Sequence, residues 1–116
     1  MYQCLNLVAE ADGRPGCVLI RALQPVSGVD LMRARRPAAR KLEQLANGPG
    51  KLTLALGISR AHNGADVTRG PLVVRQAPGA ALFEIAVTPR IGITRSAELP
   101  LRFLIVPGSP PNTLTR

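Results

Sequence analysis

Two polar side chains interrupt apolar stretches near the start of the chain. Asn6 lies within MYQCLNLVA, and Arg21 lies within CVLIRAL. Burying an amide or a guanidinium without a partner costs several kcal/mol, so each side chain must be paired or must face a polar cleft. A polar pair of this kind, set among Leu, Val and Ile, is typical of the floor of a pocket.

A β-hairpin is the element that would bring the two side chains together. Residues 2–9 and 16–24 are rich in Leu, Val, Ile and Cys and predict two strands, with an Asp-Gly turn between them. If the chain reverses near Gly13, Asn6 and Arg21 lie close to directly opposite one another on one face. That face could instead be the wet side of a sheet, or a local salt bridge could satisfy the arginine. A slip of one residue would exchange the faces, so these alternatives stay open.

The rest of the chain predicts an α+β fold. Residues 29–45 favour two short helices separated at Pro37, or one helix followed by a basic loop. GPGKLTLALGI predicts a helix that begins at Pro49 and ends at Gly57. Further short strands are expected at 71–75, 81–87, 90–93 and 101–106, with an irregular tail at about 107–116. We therefore expect residues 1–116 to form a single domain of mostly antiparallel short strands with a few helices.

The charge favours a polyanionic partner. Fifteen Lys and Arg residues against seven Asp and Glu residues give a net charge of +8, which points first to nucleic acid. A high-GC genome, in which arginine codons are frequent, would also explain the excess. The densest basic segment, and the predicted phosphate contacts, comprise Arg33, Arg35, Arg36, Arg40 and Lys41. Lys51 lies in the first turn of a predicted helix, where an anion could bind, although a solvated face and a plain helix start are alternatives.

Several classes of function have no support in the sequence. Cys4 and Cys17 fit no metal-binding spacing and are expected to be buried thiols, and there is one histidine, His62. We therefore expect no metal and no cofactor. No segment has the length of a membrane span, and the N-terminus lacks the charged start of a signal peptide. These features predict a cytoplasmic protein.

Six segments, in order and spacing, carry a family resemblance: YQCLNLVAE, CVLIRALQPVSG, GPGKLTLALGI, NGADV, TPRIGI and PLRF. Together they resemble the alkyladenine (3-methyladenine) DNA glycosylases, from residue 1 to about residue 109. The resemblance implies excision of alkylated or deaminated purines, such as 3-methyladenine and hypoxanthine, from double-stranded DNA. In such enzymes the damaged nucleotide is flipped out of the duplex, and a glutamate activates water to hydrolyse the N-glycosidic bond without a metal. We expect a monomer that acts on the DNA of the nucleoid.

The same resemblance implies roles for individual residues. Arg21 matches an arginine that helps to hold the nucleophilic water, and Ile91 matches a position whose backbone carbonyl binds the same water. Asn6 matches an asparagine on the pocket wall that discourages guanine. Met1 and Tyr2 match residues on the DNA-facing edge beside a wedge tyrosine. The arginine should orient water rather than stabilise the oxocarbenium ion, because the two positive charges repel each other.

The departures from the family pattern matter as much as the matches. The family's catalytic glutamate, in a Glu-Ala-Tyr motif, and its wedge tyrosine, in Tyr-Gly-Met, have no counterpart here, and Met1 corresponds to the last residue of that triplet. The sequence thus predicts the C-terminal portion of a glycosylase domain, inactive as this chain. A start codon assigned too late, a decaying gene and a retained short module are the three explanations. The alternative function is a non-catalytic, basic DNA-binding module.

Overall fold

The secondary structure is of the α+β type, as the sequence predicts. A computed structural model describes residues 3–76, 84–92 and 94–106. In these residues two α-helices and two antiparallel two-stranded sheets occur, with short 3-10 turns between them. The chain divides into two compact units, Met1–Ala65 and Asp66–Arg116. Met1, Tyr2 and the tail at 107–116 lie outside the described residues.

The predicted N-terminal hairpin is present, with shorter strands than expected. Strand β1 (Asn6–Val8) pairs antiparallel with β2 (Cys17–Leu19). Between them the Arg14 N–H donates to the Ala11 carbonyl at 3.0 Å, and Gly13 has φ 84°. A positive φ suits glycine because it has no Cβ. The Asp-Gly pair therefore forms the tight turn that the sequence predicts.

The helices of the first unit follow the local signals in the sequence. Helix α1 (Val29–Arg35) ends before Pro37, and a 3-10 turn (Leu42–Gln44) follows it. Helix α2 (Pro49–Leu56) begins at its proline and ends at Gly57, whose φ of 71° forms a left-handed C-cap. The capped helix predicted at 49–57 is confirmed, and of the two possibilities for residues 29–45 the structure has one α-helix followed by a loop with a short 3-10 turn.

The core of the first unit forms around α2 and the turn before it. In the described part of the chain, the buried side chains are Leu45, Ala46, Leu52, Thr53 and Ala55. The Arg35 guanidinium donates to the Ala55 carbonyl at 3.0 Å and so joins α1 to α2. This small core is the support on which the N-terminal hairpin depends.

The second unit contains the other hairpin. Strand β3 (Ile85–Thr88) pairs antiparallel with β4 (Arg102–Ile105). The Val106 N–H donates to the Glu84 carbonyl at 2.8 Å and extends the ladder by one bond. The strands predicted at 81–87 and 101–106 are confirmed where the structure describes them, which is from residue 84 in the first and up to residue 106 in the second.

Two other strand predictions are wrong. Residues 71–75 form no strand, and there the Val74 N–H instead makes a single loop bond to the Val67 carbonyl at 2.8 Å. Of the strand predicted at 90–93, residue 93 lies outside the described residues, and residues 90–92 form no strand, with Gly92 at φ 79°. In the parts of the chain that the structure describes, no helix is long and apolar enough to cross a membrane.

Candidate functional site

The register of the first hairpin decides which residues lie beside Asn6. Because the chain reverses between Asp12 and Gly13, Asn6 lies opposite Leu19 and not opposite Arg21. The direct pairing expected from the sequence requires a turn centred one residue later. A change of one residue in the turn centre moves the pairing by two residues, and that keeps the alternation of faces.

Arg21 consequently remains on the Asn6 face. The Ile20 N–H donates to the Leu5 carbonyl at 3.0 Å, so the ladder continues past the end of β2. Alternation carried one residue further places Arg21 diagonally across from Asn6, a Cα separation of about 7 to 8 Å that long side chains can span. The hairpin therefore brings the amide and the guanidinium to one face, as diagonal neighbours.

This face, which we call the Asn6 face, is open in the chain. Asn6 and Arg21 are exposed, as expected for the wet side of a sheet. The free thiols of Cys4 and Cys17 are exposed too, so the prediction of buried cysteines is wrong. The reason is that a two-stranded hairpin leaves one face uncovered unless another layer packs on it.

Cys17 contacts the amide of Asn6 directly. The Cys17 Sγ lies 3.7 Å from the Asn6 Oδ1, with the thiol as donor. This contact engages the oxygen end of the amide and leaves the two Nδ2 hydrogens free to meet a ligand. Sequence reasoning did not assign Cys17 a role, although its position four residues before Arg21 places it on the same face.

Two hydrogen bonds attach the hairpin to the helical core. The buried Thr53 hydroxyl lies 3.0 Å from the carbonyl of Gln3, just before β1, and shares its hydrogen with the Gly50 carbonyl of its own helix, also at 3.0 Å. After β2, the Leu23 N–H donates to the Ala46 carbonyl at 2.9 Å. Thr53 was not singled out by sequence reasoning. Its signal is a hydroxyl in the apolar stripe of α2, because a buried hydroxyl needs an acceptor.

The predicted phosphate-contacting residues separate into two groups. Arg36 is half-buried and holds the chain together, since its Nη2 donates to the Gln44 carbonyl at 2.9 Å and its Nε to the Leu45 carbonyl at 3.3 Å. Arg33, Arg40 and Lys41 are exposed and, within the described residues, form no ion pair. They are the members of the group that are available to an external anion.

Lys51 and Ile91 are exposed at separate places in the chain. Lys51 lies in the first turn of α2, and its Nζ donates to the Asn47 Oδ1 at 3.3 Å. Ile91 lies in the second unit and is 67% exposed, next to the turn at Gly92. Met1 and Tyr2, the predicted DNA-facing residues, are outside the described part of the chain.

None of the carboxylates resembles a general base in its surroundings. All seven are exposed: Glu10, Asp12, Asp30, Glu43, Asp66, Glu84 and Glu98. In the described residues the ion pair present is that of Asp66 with Arg69, at 3.4 Å. Hydrogen bonds from the Thr68 hydroxyl (2.6 Å) and N–H (2.9 Å) lower the pKa of Asp66. A carboxylate that acts as a general base instead has its pKa raised by burial.

Other kinds of site are absent from the described residues or lie away from Asn6. No group of three His, Cys, Asp or Glu side chains in the described ranges could hold a metal ion. An open cavity of about 360 Å³ is lined by Leu23, Gln24, Pro25, Leu42, Glu43 and Asn47. Neither Asn6 nor Arg21 lines it, and we base the candidate site on the hairpin face because the polar residues are placed there by strand register.

A basic α+β chain with an amide and a guanidinium on one hairpin face fits the class of DNA-repair proteins that the six sequence segments resemble. A family model described as methylpurine-DNA glycosylase (MPG) matches residues 1–109. The chain belongs to the methylpurine-DNA glycosylase family, and the resemblance found in the sequence is confirmed.

Relatives in the same family are similar along most of the chain. A protein of Methanocella arvoryzae named "Putative 3-methyladenine DNA glycosylase" is 50% identical over 103 residues, which are 88% of this chain and 50% of that protein. Proteins with the same name from Methanoculleus marisnigri (47% identical; 90% and 56% covered) and Rhodopseudomonas palustris (48%; 89% and 50%) are also similar. The chain spans about half the length of these curated relatives.

Proposed function

We propose that this chain forms the C-terminal portion of a glycosylase domain that removes alkylated or deaminated purines from double-stranded DNA. The substrates of this domain are flipped purines such as 3-methyladenine and hypoxanthine, and the reaction is hydrolysis of the N-glycosidic bond. The observation that supports this most directly is the shared face of Asn6 and Arg21 in a chain of this family. The protein acts as a monomer on nucleoid DNA in the cytoplasm, without a metal or other cofactor.

Asn6 selects the base. With its Oδ1 engaged by Cys17, the amide presents N–H donors to the ligand. Guanine carries an exocyclic amine at C2, which is also a donor, whereas adenine derivatives and hypoxanthine have no amine at C2. Two donors brought together without an acceptor lose their hydrogen bonds to water. Guanine is therefore rejected, because no new hydrogen bond offsets this desolvation cost. This selection protects the abundant normal purine.

The family resemblance supports a role for Arg21 in holding the attacking water, with its guanidinium donating to the water oxygen. It separately supports a role for the Ile91 backbone carbonyl as an acceptor for water. A fixed water aligned with the sugar C1′ needs less reorganisation to react. Neither group can take the proton, and the exposed carboxylates of the chain offer no general base. Residues 1–116 by themselves therefore bind damaged DNA without releasing a base.

Exposed basic side chains bind the phosphates. Arg33, Arg40 and Lys51 are exposed, and Arg36 keeps one Nη1 group beyond its two carbonyl bonds. Met1 and Tyr2 complete the predicted DNA-facing edge. Phosphate contacts supply affinity and orientation, while the Asn6 face supplies selectivity.

Base release and lesion binding, measured together, test the proposal. The purified 116-residue protein is expected to release neither 3-methyladenine nor hypoxanthine from duplex DNA, and to bind a hypoxanthine duplex more tightly than an undamaged one in gel shifts. The variant Asn6→Ala should lose that preference, whereas Val26→Ala, an exposed position outside the hairpin strands, should keep it. Robust base release would contradict the predicted inactivity.

The second candidate function is a non-catalytic DNA-binding module, and the exposed Arg33 and Arg40 favour it. Equal affinity for damaged and undamaged duplex, insensitive to Asn6→Ala, would be its signature.

In either case, reversing both charges (Arg33→Glu with Arg40→Glu) should flatten the dependence of affinity on salt by about one unit of log–log slope for each phosphate that is no longer neutralised. The matched control reverses Arg75 and Arg95, which changes the net charge equally. An unchanged slope would place the phosphate-binding residues elsewhere.

A further inference from the structure

Asn6 has two polar neighbours on its face of the first hairpin, and they lie on opposite sides of it. Leu19 is directly opposite Asn6. The residues two places before and two places after Leu19 are Cys17 and Arg21, and strand alternation makes them the two diagonal neighbours of Asn6. The amide therefore lies between a thiol and a guanidinium. Because one end of an amide accepts hydrogen bonds and the other donates them, its orientation depends on which neighbour takes the oxygen.

The two neighbours favour opposite orientations of the amide. The guanidinium of Arg21 carries N–H donors and no acceptor, so it can bind the amide through the oxygen alone. The thiol of Cys17 is a weak donor, and it holds the oxygen only by turning it away from Arg21. A hydrogen bond from a charged group is stronger than one from a neutral group. If the thiol were removed, the oxygen of Asn6 would therefore turn toward Arg21.

The structure has the orientation that Cys17 favours. The Cys17 Sγ lies 3.7 Å from the Asn6 Oδ1, and in the described part of the chain this is the side-chain hydrogen bond that the amide makes. The weaker donor prevails because it needs less ordering. Cys17 lies within β2 and has a single side-chain torsion to fix, whereas the long side chain of Arg21 is exposed, and holding it in one geometry costs rotamer entropy.

This orientation suits both roles that we assign to the Asn6 face. An amide with its oxygen on Cys17 turns its Nδ2 hydrogens to the base, and those donors reject the C2 amine of guanine. The reverse orientation would offer the base an acceptor, which would accept that amine instead. It would also occupy N–H groups of Arg21 that the attacking water needs.

We propose that Cys17 is a positioning residue for base selection, whose thiol holds the Asn6 oxygen away from Arg21. Cys17 acts through Asn6 and need not touch the base or the water. The link to base selection rests on the proposed function, whereas the orientation of the amide is a property of the free chain. Cys4 provides a matched control, because it is the other exposed thiol of the chain and lies two residues before Asn6.

NMR spectroscopy of the free 116-residue chain tests the positioning without DNA. The rotamer of Asn6 is measured from three-bond couplings, and the environment of its oxygen from the chemical shift of its amide carbon. We expect Cys17→Ala to change both, and Cys17→Ser to keep both, because a hydroxyl also donates. Cys4→Ala should have no effect. Adding Arg21→Met to Cys17→Ala removes the competing donor and should reduce the change.

Binding to two matched duplexes tests the effect on selectivity. The duplexes carry hypoxanthine or guanine opposite cytosine and differ by the C2 amine alone. We expect Cys17→Ala to lower the preference for hypoxanthine in gel shifts by about threefold to tenfold, as for the loss of one hydrogen bond. Cys17→Ser and Cys4→Ala should change it by less than about twofold. In an Asn6→Ala background, Cys17→Ala should have no further effect, whereas general damage to the hairpin would add to the loss.

Each outcome supports or overturns the proposal. An Asn6 side chain with the same rotamer and shift in Cys17→Ala as in the unsubstituted chain overturns it. An equal loss of preference in Cys17→Ser also overturns it, as does a changed rotamer with an unchanged preference. If Cys17→Ala speeds backbone amide exchange in β1, Cys17→Val replaces it, because valine suits a strand and has no donor.

The positioning and the proposed function can fail separately. A chain without any preference for hypoxanthine would contradict the proposed function, and the NMR comparison would still decide whether Cys17 orients the amide. A clear preference that depends on Asn6 and not on Cys17 would support the proposed function and overturn the positioning role.

Discussion

The two hairpins share a local architecture and differ in how they are held. The first hairpin, β1–β2, is attached at both ends to the helical core of its unit, by Thr53 with Gln3 and by Leu23 with Ala46. In the described residues, the bonds that hold the second hairpin, β3–β4, include its own cross-strand ladder and the bond from Val106 to Glu84. Local sequence therefore makes a hairpin in each unit, whereas the function of its face depends on what packs beside it.

Burial separates the two units in the same way. Every buried side chain in the described part of the chain lies in the first unit, around α2. In the second unit the large apolar residues of β3–β4 stay about half exposed. Since burial of apolar area is the main source of stability, we expect the first unit to be the more stable part of this chain.

The largest expected effect tests the core of the first unit. Leu52 is fully buried, so Leu52→Ala removes packed atoms, leaves a cavity and should destabilise the chain by about 2 to 5 kcal/mol. The measurement is urea unfolding followed by circular dichroism. Leu54→Ala on the same helix is the matched control, because Leu54 is 50% exposed and should lose less than about 1.5 kcal/mol. Equal losses at the two positions would mean that α2 is not the stabilising core.

A smaller effect is expected where the first hairpin is attached to that core. Thr53→Val keeps the shape of the side chain and removes the hydroxyl near the Gln3 carbonyl, so we expect a loss of about 1 kcal/mol. Hydrogen exchange should become faster in β1 while exchange in β3 stays unchanged. The control is Thr88→Val, which removes the acceptor of Arg102 and should affect β3–β4 alone. Faster exchange in both hairpins from either variant would contradict the proposed difference.

The helices and turns of this fold follow from local sequence signals. The strand registers, and which face of a hairpin is covered by another layer, do not. The Asp-Gly pair, Pro49 and Gly57 specify a turn and the two ends of a helix through backbone preferences of single residues. The pairing of Asn6 depends on the centre of that turn, and a shift of one residue is below what such preferences determine. The exposure of the cysteines depends on which layer packs on the hairpin, and no property of the strand sequence reports that.

The same distinction, between local sequence signals and contacts between elements, applies to the candidate site. Asn6 and Arg21 are conspicuous in the sequence because polar groups in apolar runs need partners, but the register seen in the structure is needed to place them on one face. The roles of these residues and of Ile91 come from the family resemblance and stay predictions, as do those of Met1 and Tyr2. The partners of Thr53 and Cys17 lie on other elements, so a pattern along one strand or helix does not identify them, although the hydroxyl in the apolar stripe of α2 is a signal that Thr53 needs an acceptor.

The smallest expected effect belongs to the loop that begins the second unit. Hydrogen bonds from Thr68 lower the pKa of Asp66, whose side chain is 52% exposed. A lowered pKa means that the ionised carboxylate supports this turn at pH values above the ordinary Asp pKa, and that the support is lost as the pH falls through the lowered value. Thr68→Val removes the hydroxyl and should raise the pKa of Asp66 toward the ordinary value, whereas Thr68→Ser should retain the lowered pKa. The titration of the Asp66 carboxyl carbon in NMR spectra measures the pKa, and urea unfolding of the first unit should be the same in both variants. A coupled change in that unfolding would show that the stability of the first unit depends on this loop.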